Sequence, residues 1–109
     1  MKRHSVRLTE QALQDLDDIA HYIALNDSPE RADHVAQRIE EAILSLSTLP
    51  DRGPCPRELL ALGNRAFREI HFKPYRIIYR VYDSQVVIFI IADGRRDLRT
   101  VLARRLLGH

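Results

Sequence analysis

Five arginines and a histidine in the carboxy-terminal half are the residues of this 109-residue chain best suited to chemistry. Arg68, His71, Arg76 and Arg80 fall within a run of strand-forming residues, and Arg95 and Arg96 follow Gly94 just beyond it. A guanidinium holds phosphate or carboxylate bidentately and can stabilise charge that develops in a transition state. His71 or one of the nearby tyrosines is the available general acid or base. A sheet face bearing Arg68, Arg76, Arg80 and Arg96 would bind phosphates, and would cleave RNA if something activated the 2′-hydroxyl. If Arg76 and Arg96 lie together they form a basic site on a rigid support. Taken singly, each arginine is as well explained as a solvated edge residue or the partner of a carboxylate.

Other chemistry has little to stand on. There is no glycine-rich phosphate loop, no nucleophile elbow and no His-Glu-x-x-His pair. The histidines at 4, 21, 34, 71 and 109 have no ligand spacing, so neither a metal nor a cofactor is expected. Asp15, Asp17, Asp18, Glu40 and Glu41 fall on the polar sides of amphipathic helices and read as solvated faces. Cys55, the single cysteine, sits between two prolines without a partner pattern.

The elements that must carry the arginines follow from periodicity. Phe67 to Phe72, Tyr75 to Tyr82 and Val86 to Ile91 read as three strands of an antiparallel meander, joined by Lys73-Pro74 and by Asp83-Ser84-Gln85. The third is apolar throughout, so both of its faces must be covered and it belongs in the middle of the sheet. In the second, Tyr75, Ile77, Tyr79 and Val81 point one way and Arg76, Ile78, Arg80 and Tyr82 the other. Upstream, Ser5 to Leu8 alternates as a short strand. Thr9 caps a helix over about residues 10 to 25 with an apolar stripe of Ala12, Leu13, Leu16, Ile19, Ala20, Ile23 and Ala24. Ser28-Pro29 opens a second helix ending near Leu49-Pro50. Leu44 and Leu49 fall off its stripe and are candidates for partner contact. Arg57 to Leu60 predicts one helical turn, and Asp97 predicts the cap of a last helix carrying Leu98, Val101, Leu102 and Leu106. The fold class is therefore α+β, with an N-terminal strand and helical hairpin packed on an antiparallel meander and a C-terminal helix.

A chain of this length with 45% hydrophobic residues suits one domain over residues 1–109. No apolar run is long enough for a membrane span, and the basic amino terminus has no apolar segment behind it, so residence in the cytoplasm is expected. The charge is divided. Residues 1–64 hold 7 basic and 11 acidic residues, a net −4, whereas residues 65–109 hold 10 and 4, a net +6. The basic half calls for an anionic partner, nucleic acid or an acidic polypeptide.

The run from Phe67 through Lys73-Pro74-Tyr75-Arg76 to Val81, then an apolar strand and Gly94-Arg95-Arg96-Asp97, resembles the RelE/ParE superfamily of bacterial toxins. The resemblance extends over the helical hairpin with Asp15 to Ile19 and the connector from Pro50 to Gly53. It implies a toxin neutralised by a cognate antitoxin, which wraps it and supplies the contact with promoter DNA. It also implies one of two targets. The RelE branch cuts mRNA on the ribosome, for which Arg76, Arg96, Arg68 and His71 would be the catalytic set. That branch's terminal-helix tyrosine is replaced here by about Leu102. The ParE branch inhibits DNA gyrase without catalysis, and is similar to this chain in its long hairpin and in Arg95-Arg96-Asp97-Leu98. On that reading Arg68, Arg76, Arg80, Arg95, Arg96 and Leu44 are partner-binding residues. The missing tyrosine favours the second branch.

Overall fold

The computed structural model describes residues 3–107, so His109 lies outside it. Strand β1 (Ser5–Leu8) leads into helices α1 (Glu10–Asn26) and α2 (Pro29–Leu44). A short helix α3 (Arg57–Leu60), three strands β2 (Arg68–Phe72), β3 (Tyr75–Tyr82) and β4 (Gln85–Asp93), and a last helix α4 (Arg99–Leu106) follow. Thr9 does two jobs at the first junction. Its N–H donates to the Ile88 carbonyl, closing β1, while its hydroxyl accepts from the Ala12 N–H at 3.1 Å and starts α1. Ser28 caps α2 in the same way, with Pro29 where its missing N–H costs nothing.

The sheet order is β1-β4-β3-β2. The apolar strand β4 is interior as its composition requires, flanked antiparallel by β3 and parallel by β1. Both of its faces are covered. The α1–α2 hairpin closes one face over a core that includes Val35, Ile39, Ile77, Tyr79, Ile88 and Ile91. On the other, α3 and α4 bring Leu59, Leu98 and Leu102 against Phe67, Ile78 and Ile90. A register shift places Ile78 opposite Ile90 but Tyr79 opposite Ile88, leaving Phe89 as the extra residue of a bulge. Phe89 and Ile90 consequently both pack into the second core, and Phe89 meets Phe67 edge-on with centroids 5.6 Å apart.

Several expectations need correction. The second helix ends at Leu44, not near Leu49, and passes into a tighter turn over Ser45–Ser47. Ser45 explains the change: its hydroxyl donates to the Ala42 carbonyl at 2.6 Å, drawing the backbone out of the α-helical ladder. Leu13, placed on the α1 stripe by spacing, is 51% exposed, because the hairpin needs only a narrow seam. Phe67 lies just before β2 and serves as core. Asp97 stands one residue outside the cap position of α4, which is Leu98, yet its carboxylate still accepts from the Arg99 N–H at 3.1 Å.

Candidate functional site

The predicted cations converge only in part. β2 pairs with β3 so that His71 faces Arg76 and Arg68 faces Tyr79. Residues opposite each other point to the same side. His71 and Arg76 therefore share the α4 side, with Arg80, while Arg68 lies on the hairpin side with buried Tyr79. The single face bearing Arg68, Arg76, Arg80 and Arg96 does not exist. Arg68 instead ties down the connector between α2 and α3, donating to the carbonyls of Asp51 and Gly53 at 3.2 and 2.8 Å. Beside it the Gly53 N–H donates to the Tyr79 hydroxyl at 3.2 Å. Only glycine fits there, since a Cβ would stand 2.2 Å from the Glu69 carbonyl oxygen.

Arg76 is the centre of what remains, and its charge is already used. Its Nε donates to Glu69 at 2.7 Å, and its two terminal nitrogens grip both oxygens of Glu58 at 2.7 and 2.9 Å. This bidentate pair fastens α3 to the sheet. The hydrogen bonds from Arg76 hold the Glu58 carboxyl below its ordinary value, and those from Glu58 raise Arg76 above its own. Glu69 is only 8% exposed, and His71 stands 3.6 Å from it. Gly94 lets the following loop close on the Arg76 stem: its N–H donates to the Pro74 carbonyl at 2.7 Å, and a Cβ would meet the Arg76 Cγ at 2.8 Å.

Around this floor, where two carboxylates outnumber one guanidinium, is a cleft of about 440 Å³ to which Arg57, His71 and Lys73 contribute. An adjoining depression of about 460 Å³ holds Arg96 beside Arg76, so those two do meet on one surface. Arg57, Lys73 and Arg96 make no ion pair among the described residues. Arg80 is stacked between the rings of Tyr82 at 4.7 Å and Phe67 at 5.7 Å. Arg95 is closed onto Asp93, whose carboxyl it holds down. Leu44, at the end of α2, is 64% exposed and Leu49, in the connector after it, 55%. Leu102 is fully buried in the α4 core. Among the described residues no group of three His, Cys, Asp or Glu side chains could hold a metal ion.

Asp15, read as part of a solvated helix face, is structural. Asp15 accepts from the Ile91 N–H at 3.0 Å and from Arg105 through both oxygens at 3.0 Å, and Arg105 also donates to the Phe89 carbonyl at 2.7 Å. Burial raises the Asp15 carboxyl, opposed by those bonds. Its position was readable, because Ala12, Asp15 and Ile19 follow one helical line toward the sheet. Glu58 and Glu69, the partners of Arg76, carried no such periodic signal.

A family described as the ParE toxin of type II toxin-antitoxin systems, parDE, matches residues 6–98. The chain is 33% identical over 91 residues to Toxin ParE3 of Caulobacter vibrioides, covering 84% of this chain and 87% of that protein. Its fold is similar to that of a chain in a chromosomal ParDE system from P. aeruginosa, with a TM-score of 0.70 and 22% identity over 84% of this chain and 96% of the other. It is also similar to a chain of the RelBE2 toxin-antitoxin complex from Mycobacterium tuberculosis, with a TM-score of 0.60 and 26% identity over 84% and 98% of the two chains.

Proposed function

The chain belongs to the ParE toxin family of type II toxin-antitoxin systems, and from that premise we propose that it arrests growth in the cytoplasm by inhibiting DNA gyrase and is neutralised by a cognate antitoxin. The observation that carries the choice of target is the state of Arg76. A nuclease would need this guanidinium free to meet charge on a scissile phosphate; here it is shared between Glu58 and Glu69. The resemblance puts about Leu102 where the nuclease branch has its tyrosine, and Leu102 is a buried leucine with no proton to give a leaving group. Two similar structures come from toxin-antitoxin systems, which supports an antitoxin partner. Contact with promoter DNA would come through that partner.

Arg57, His71, Lys73 and Arg96 around the cleft, together with the likeness to a RelBE chain, support ribosome-dependent mRNA cleavage as the second reading. One preparation decides between them. Purified protein is assayed for gyrase supercoiling and, in parallel, for mRNA cleavage on translating ribosomes. Inhibited supercoiling with intact mRNA is expected. Codon-phased cuts with normal supercoiling would overturn the gyrase reading.

A further inference from the structure

The core beneath α3 and α4 takes Ile78 from β3 and Phe89, Ile90 and Ala92 from β4, which leaves the other end of that sheet face outside it. Register says what stands there. Val6, Leu8, Val86 and Ile88 pack into the core under the hairpin, so alternation turns Ser5, Arg7, Gln85 and Val87 toward the α4 side. Arg7 is opposite Val87 and Val87 opposite Arg80, while Ser5 is opposite Gln85 and Gln85 opposite Tyr82. Neither row contains an acid. Ser5, Arg7 and Tyr82 are exposed, and Arg7 and Arg80 make no ion pair among the described residues. This surface is separate from the cleft, since Arg80 stands four residues along β3 from Arg76, roughly 13 Å.

Phe67 and Tyr82 hold the Arg80 guanidinium over their rings, at 5.7 and 4.7 Å, so the cation is fixed in place without being neutralised. Its N–H groups stay available to an acceptor. Two strand spacings separate Arg7 from it, about 10 Å, which sets two cations across one open face. Charge alone would suit any polyanion. The ring decides, because Tyr82 is 39% exposed and a base can lie against it while neighbouring phosphates reach Arg80 and Arg7. An acidic polypeptide has no use for that ring, and it cannot add here as a strand beside β4, which is already paired on both sides.

We propose that this end of the sheet binds single-stranded nucleic acid, with Tyr82 stacking one base and Arg80 and Arg7 holding backbone phosphates. The proposal goes beyond the gyrase reading and does not depend on it, because none of these residues takes part in the Arg76 cluster.

The test is fluorescence anisotropy of the purified full chain with short labelled single strands of DNA and of RNA, a short duplex and a poly-glutamate peptide. Arg7→Gln, Arg80→Gln and Tyr82→Ser are compared with Arg96→Gln in the cleft and Arg38→Gln on the hairpin, each checked for folding by melting. Arg7→Gln and Arg80→Gln should each reduce the slope of log affinity against log salt by about 0.7, the share of one phosphate on a single strand. Tyr82→Ser should weaken binding at least about fivefold and leave that slope unchanged. Arg38→Gln should change nothing. Arg7 is exposed, so its variant decides the matter even where Arg80→Gln fails to fold. The tighter of the DNA and RNA arms names the source of the strand. Single strands that do not bind, or that lose affinity for Arg96→Gln but not for the variants of this face, would overturn the proposal. A duplex or poly-glutamate held as tightly as the single strands would overturn it too.

Discussion

Arg76 shows how little a residue's type settles about its work. Its place on one face of β3 with Ile78 and Arg80 was readable from alternation, but its two carboxylate partners come from α3 and from the neighbouring strand. Spacing along one strand holds no record of them. Because the guanidinium is structural, Arg76→Met should destabilise the fold by about 2 kcal/mol, the scale of lost hydrogen bonds to charged groups, as measured by urea unfolding. A variant as stable as wild type would return Arg76 to the free cations. Glu58 adds a pH dependence whose sign is fixed. Its folded value lies below the ordinary 4.5, so its contribution is complete above that pH and is lost as pH falls through the folded value. Glu58→Gln should therefore lower stability at pH 7 and flatten the acid limb of the stability curve. Gly53→Ala must push the connector off the edge of β2, and a loss of about 1–3 kcal/mol is expected from such overpacking, read from the unfolding midpoint.

Elements were more legible than sites. Alternation in β3 and the unbroken apolar run of β4 placed both strands correctly, because burial on one face or two is a local property of the sequence. The bulge was not legible. It depends on the pairing of Ile78 with Ile90 and Tyr79 with Ile88, a relation between strands. Its effect is measurable. Ile90 is fully buried, so Ile90→Asp strands a charge costing several kcal/mol against a total of about 5–15, and the variant should not fold. Phe89 is half-buried at the bulge, and Phe89→Asp should be the milder of the two. The reverse order in circular dichroism melts would show that the bulge is misplaced.

At the scale of the whole molecule, the charge asymmetry becomes an arrangement of layers. The acidic half is the hairpin on one face of the sheet, and most of the basic half is the sheet edge, the cleft and α4. An acidic chain would be steered toward the second region and away from the first. Expression of the chain alone should arrest bacterial growth, and co-expression of the adjoining reading frame should restore it, scored by colony counts. Healthy growth with abundant folded protein would contradict the toxin assignment in practice.

The parallel pairing of β1 with β4 ties Ser5 to Gln85. Those partners are separated by 80 residues of synthesis, so at about 5–20 residues per second the first strand waits roughly 4–16 seconds for its neighbour to be made. The helical hairpin can form early, but the sheet cannot close before β4 is made. For most of each round of translation the nascent chain therefore lacks the closed sheet on which Arg76 and Arg96 are positioned.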